Sequence, residues 1–183
     1  MTSKAKLSLL LLIMASPLLA SYSAYYFFWH PTKSVNYGEL LPIRPVSLQS
    51  LQSIGVNSVD SIRGKWVLLS VDSGNCNAAC AQKLYLMRQI RTAQGREMER
   101  VARAYVIDDN AAHNAEFMKQ YEGTVVLRSE PRVLGELPAA DGVRSHIYLL
   151  DPLGNVVLRY PPNPDAKRMM KDWTRLLSVS QIG

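Results

Sequence analysis

Trp66-Val67-Leu68-Leu69-Ser70-Val71-Asp72-Ser73-Gly74-Asn75-Cys76-Asn77-Ala78-Ala79-Cys80 is the stretch that sets the fold. Its first six residues are almost continuously apolar, as expected of a central strand buried on both faces. A helical pattern follows over 79–93, with Leu84, Met87 and Ile90 at helical spacing. Gly95 closes that helix. Between strand and helix stand Cys76 and Cys80, the only two cysteines of the chain.

Outward from this junction the pattern alternates. Val101 to Ile107 reads as a second core strand. Asp108, Asp109 and Asn110 end it and are expected to cap a helix over 111–121. Thr124 to Leu127 reads as a short strand, and 129–143 as a loop holding Pro131, Gly135, Pro138 and Gly142. Ile147 to Leu150 and Asn155 to Tyr160 flank an Asp-Pro-x-Gly turn too short for anything but an antiparallel pair. A last helix over 165–178 aligns Met169, Trp173, Leu176 and Leu177 on one face. Alternating elements closed by a hairpin and a helix predict an α/β thioredoxin-like sandwich, a mixed sheet with helices on both faces. Ligand and reaction sites in such sheets lie at the carboxyl edge of the strands, where the cysteine loop falls.

The N-terminus has different chemistry. Leu7 to Trp29 carries no charge and as a helix would span about 34 Å, enough for a bilayer core. Lys4 and Lys6 precede it, and Tyr22, Tyr25, Tyr26, Phe27, Phe28 and Trp29 crowd its far end as an interfacial belt would. The expected organisation is a cytoplasmic N-terminus over 1–6, a transmembrane anchor over 7–29, a linker and lead-in over 30–62, and the thioredoxin-like domain over 63–183. Residues 50–62 are expected to form a hairpin or irregular cover. The competing reading of 7–13 is the core of a cleaved signal peptide. Both readings put the domain outside the cytoplasm, in a periplasm-like compartment that permits disulfides.

The chain is 48% hydrophobic and 20% charged, which supports a packed core, and its formal charge is +6. Zinc-finger, helix-turn-helix and aromatic RNA-binding patterns are missing, which argues against nucleic acid as a partner. The basic set Lys83, Arg88, Arg91, Arg96, Arg100 and Arg103 is expected on a solvated face or against lipid headgroups or an acidic partner.

The cysteine spacing allows two chemistries. Four residues along a helix separate α-carbons by about 6 Å, within disulfide range. Two thiolates at a helix N-terminus are also soft ligands suited to Cu(I). A third reading is an inert staple. His146, just before a core strand, is the candidate third ligand, while His113 and His30 are expected to be solvated or interfacial. Asp72 is a candidate proton acceptor or turn former. The C-x-x-C spacing and facing proline of a general exchange enzyme are not evident.

Gly64-Lys65-Trp66-Val67-Leu68-Leu69, Cys-x-x-x-Cys and Tyr148-Leu149-Leu150-Asp151-Pro152-x-Gly154 together resemble the Sco/SenC proteins. Val71-Asp72-Ser73-Gly74-x-Cys76, the run from Lys83 to Gln89 and His146-Ile147-Tyr148-Leu149 are similar to a divergent, membrane-anchored proteobacterial branch of them. The resemblance implies a role in cytochrome c oxidase assembly at the inner membrane, copper as cargo, and an oxidase subunit or other assembly factors as partners. It implies work at Cys76 and Cys80. The chain departs from the family pattern at Asn77 and Ala81, which follow the two cysteines in place of prolines. Val143 stands where the family places its copper-binding histidine. A general thiol–disulfide oxidoreductase and a scaffold with a structural disulfide are the alternatives.

Overall fold

The computed structural model describes residues 3–27, 35–129, 135, 137–139 and 142–183. The chain divides into two units, Met1–Val35 and Asn36–Gly183. The first contains helix α1 (Ser3–Phe27), long and apolar enough to cross a membrane by length and composition. Pro17 lies inside it. Phe28, Trp29 and His30 lie outside the described residues.

The second unit is a seven-stranded mixed sheet. Its strands are β1 (Glu39–Pro45), β2 (Gln52–Ser53), β3 (Trp66–Asp72), β4 (Val101–Ile107), β5 (Thr124–Arg128), β6 (Ile147–Leu150) and β7 (Asn155–Tyr160). Their order across the sheet is β1-β7-β6-β3-β4-β5-β2. The adjacent strands β3, β4 and β5 run parallel, and β6, β7, β1 and β2 pair antiparallel to their neighbours. Helices α2 (Ala78–Ala93), α3 (Ala115–Met118) and α4 (Ala166–Val179) complete it.

Every residue of β3 and β4 is buried, the polar Ser70, Asp72 and Arg103 included. Strand alternation divides the core in two. Trp66, Leu68, Val101, Tyr105, Ile147 and Leu149 pack with Leu84, Met87 and Ile90 of α2 and Met169, Trp173 and Leu177 of α4. Val67, Leu69, Val71, Ala104, Val106, Tyr148 and Leu150 face the other way. There Val46, Leu48, Leu51 and Ile62 cover them from two single-turn 3₁₀ helices and their flanks.

Two expectations are corrected. Residues 36–62 are not a linker: they supply both edge strands and the cover of the second core. Pro42 and Pro45 suggested coil, but β1 pairs with β7 alone, and an edge strand can lack the outward N–H groups that proline removes. The helix expected over 111–121 shrinks to Ala115–Met118 and a 3₁₀ turn, Lys119–Tyr121. Asn114 caps it, because Asp108 and Asp109 are engaged elsewhere.

Candidate functional site

The site begins where β3 ends. Asn77 is the N-cap of α2, and its side-chain oxygen accepts the Cys80 backbone N–H at 3.0 Å. This cap places Cys80 in the first helical turn and leaves Cys76 just outside it. The two α-carbons are 5.2 Å apart and the sulfurs form a disulfide. The halves differ: Cys80 is completely buried in the α2–α4 core, while Cys76 is only partly buried against its edge.

The loop carrying Cys76 is held from the end of β4. Gly74 donates its N–H to Asp109 Oδ1 at 3.0 Å. A Cβ at Gly74 would lie 2.4 Å from the Ala111 carbonyl oxygen, so only glycine allows this approach. Hydrogen bonds from the Ser73 side chain and the Gly74 and Ala111 N–H groups, aided by nearby Arg144, hold the Asp109 carboxyl below its ordinary pKa. Arg144 in turn bridges Asp108 at 2.6 Å and Asp109 at 3.4 Å. Asp108 pushes the Arg144 guanidinium up from its ordinary value.

Beneath the loop lies a buried ion pair. Lys83 Nζ sits 2.8 Å from Asp72 Oδ2, and it also donates to the carbonyls of Val71 and Arg144. All three ammonium protons are thereby used. Helix α2, the end of β3 and the turn before β6 meet at this one nitrogen. Beside it, the Tyr105 hydroxyl donates to the Ser73 carbonyl and lies 3.6 Å from Cys80 Sγ. Burial, with Asp72, Asp109 and Asp108 nearby, pushes the Tyr105 phenol well above its ordinary pKa. It therefore keeps its proton and acts as a donor.

The structure brings Cys76 and Cys80 together but does not bring His146 to them. Its Nδ1 lies 2.7 Å from the Tyr160 carbonyl, a contact that puts a proton on that nitrogen. Its ring meets Tyr148 edge-on at 6.0 Å. Tyr148 belongs to the second core, whereas Ile147 and Leu149 belong to the core of Cys80. His146 itself stands one residue before β6, at the end of the 3₁₀ turn Val143–Ser145. Among the described residues no group of three His, Cys, Asp or Glu could hold a metal. His113 is partly buried in the segment before α3.

The basic set does not form one solvated face. Lys83 and Arg103 are buried. Burial, with Arg91 and Arg88 close by, pulls Arg103 down to about 10. Arg91 and Arg100 bond backbone carbonyls of Val101 and of the C-terminal residues, respectively. Lys83, Tyr105 and Arg144 are the site residues that sequence reasoning missed. Strand alternation signals the face of Tyr105, while local pattern gives no sign of the Lys83–Asp72 pair.

Residues 66–180 match the profile of the transmembrane-like, thioredoxin-like C-terminal domain. The chain belongs to that family. Its described fold, a mixed sheet with helices and a Cys-x-x-x-Cys site at the carboxyl edge, is the thioredoxin-like one the resemblance implied. Among solved structures the family member is similar to apo Sco1 from Thermus thermophilus, at 18% identity and TM-score 0.57, over 79% of this chain and 99% of that one. Copper-bound yeast Sco1 matches at 14% identity and TM-score 0.58, over 81% and 96%. The thioredoxin domain of a thiol–disulfide oxidoreductase from Bacteroides vulgatus matches at 15% and 0.50, over 78% and 99%. Such identities establish a shared fold. No curated protein matches the chain.

Proposed function

We propose that this chain is a Sco-like, membrane-anchored assembly factor whose Cys76–Cys80 pair performs thiol–disulfide exchange on cysteines of a copper site, in the maturation of a respiratory cytochrome c oxidase. The carrying observation is the asymmetry of the disulfide: one sulfur at the edge of the core, the other sealed inside it. A client thiolate can reach Cys76 Sγ and form a mixed disulfide there, with Cys80 as leaving group. In the reverse direction a buried Cys80 thiolate resolves that mixed disulfide. Lys4 and Lys6, in the first turns of α1, support an N-terminus in the cytoplasm and cysteines in the periplasm, where such cycling persists.

A second reading is favoured by the donor chemistry. When reduced, the two sulfurs form a soft pair able to carry Cu(I) as cargo, and among the described residues no three-ligand group with an imidazole forms to favour Cu(II). Anaerobic Cu(I) titration of the reduced chain, together with equilibration in glutathione buffers, separates the readings. Exchange predicts a disulfide that glutathione reduces and a reduced pair that releases Cu(I) to a weak chelator. Carriage predicts stoichiometric Cu(I) retention, lost in Cys76→Ser. A pair that glutathione cannot reduce and that retains no copper overturns both.

A further inference from the structure

The opening of the disulfide poses a physical problem at Cys80. Its sulfur is completely buried. A thiolate left there after attack on Cys76 has lost water, and an unpaired buried charge is unfavourable. Among the described residues one side-chain hydroxyl is placed to meet it, that of Tyr105, 3.6 Å from the sulfur on β4.

We propose that Tyr105 is the hydrogen-bond partner that receives Cys80 when the disulfide opens, and so sets the balance between dithiol and disulfide. The exchange step is balanced without any further reagent. A client thiolate bonds to Cys76 Sγ, the Cys76–Cys80 bond breaks, and its electron pair stays on Cys80 as thiolate. The Tyr105 hydroxyl, which donates to the Ser73 carbonyl while the disulfide is closed, then donates to that sulfur. Once Cys80 takes up a proton, its S–H donates to Tyr105 Oη and the tyrosine proton returns to Ser73. One hydroxyl therefore serves the leaving sulfur and, at Ser73 directly before Gly74-Asn75-Cys76, the loop that presents the attacked sulfur. In the thiolate state that loop loses one anchor, which links its mobility to the redox step.

This assignment rests on the exchange reading of the pair, and its test keeps the two apart. The full-length chain in detergent micelles is equilibrated with glutathione buffers, unsubstituted and as Tyr105→Phe. Removal of the hydroxyl should favour the disulfide about tenfold, equivalent to ~30 mV for a two-electron couple. The second readout is the infrared S–H band of Cys80 in the reduced Cys76→Ser protein. That band should rise in frequency when Tyr105→Phe is added. Should Tyr105→Phe fail to fold, 3,5-difluorotyrosine at position 105 keeps the shape and weakens the oxygen as acceptor of the Cys80 S–H, and should move the glutathione equilibrium toward the disulfide. An unchanged equilibrium and an unmoved S–H band overturn the assignment. A pair that glutathione cannot reduce in the unsubstituted chain overturns the exchange reading, and the S–H band still decides whether Tyr105 holds Cys80.

Discussion

Replacement of Lys83 by methionine tests the most heavily invested contact of the site. The Lys83 and Asp72 side chains are 10% and 8% exposed and their charged atoms are 2.8 Å apart. Methionine keeps the aliphatic stem packed, so the change reads the ammonium rather than a cavity. It removes the counter-ion of a buried carboxylate and the donor to the Val71 and Arg144 carbonyls. Breaking a buried pair from one side costs about 3–5 kcal/mol, because the partner charge is left uncompensated. For a unit of this size each kcal/mol lowers the melting temperature by ~2–4 °C, so a fall of roughly 10 °C is expected. The assay is thermal and urea unfolding of the oxidised full-length chain, followed by tryptophan fluorescence. The cycle is closed with Asp72→Asn and the double variant. Coupling between neighbours in one network should make the double variant more stable than the sum of the singles by about 2 kcal/mol. A single-variant loss under about 1 kcal/mol, or strict additivity, would refute the view that this pair fastens the cysteine loop to the sheet.

Gly74→Ala should destabilise the unit by about 2 kcal/mol or more, since its Cβ meets Ala111 backbone at 2.4 Å, and should increase alkylation of Cys76 in the reduced protein. Unfolding and iodoacetamide kinetics measure both. His146→Ala should leave Cu(I) retention by the reduced chain unchanged, because its Nδ1 is engaged by the Tyr160 carbonyl and no three-ligand group forms among the described residues; loss of copper in the titration would contradict that reading. Asp109 is held below its ordinary pKa in the folded state. Its contribution to stability is therefore complete above the unfolded value of 3.8 and is lost as pH falls through the lower folded value. Asp109→Asn should flatten the acid limb of the stability–pH curve below about pH 4, and an unchanged limb in melting experiments would refute it.

Much of this protein is written in short-range pattern. The unbroken apolar run of β3, the helical spacing from Leu84 to Ile90 and the Asp151–Gly154 turn each report their own element, because alternation, helical period and turn chemistry act within a few residues. The cysteine pair was legible for the same reason: Cys76 and Cys80 stand four residues apart at one strand-to-helix junction, while the cap at Asn77 emerged only from the structure. The anchor-like character of α1 needed only length and composition.

Tertiary structure decided the rest. Residues 39–45 show no clear period and hold two prolines, yet they become an edge strand because β7 offers a partner more than 100 residues away. His146 stands near the expected place in sequence, and the carbonyl of Tyr160, brought close by the pairing of β6 with β7, engages its ring nitrogen. Lys83 resembles its basic neighbours on paper, and only the packing of α2 over β3 buries it against Asp72. Sequence determines what is paired within a turn of helix or a strand's width. Which charges are stripped of water, and which side chains share a face, depends on long-range register, and that exists only once the sheet has assembled.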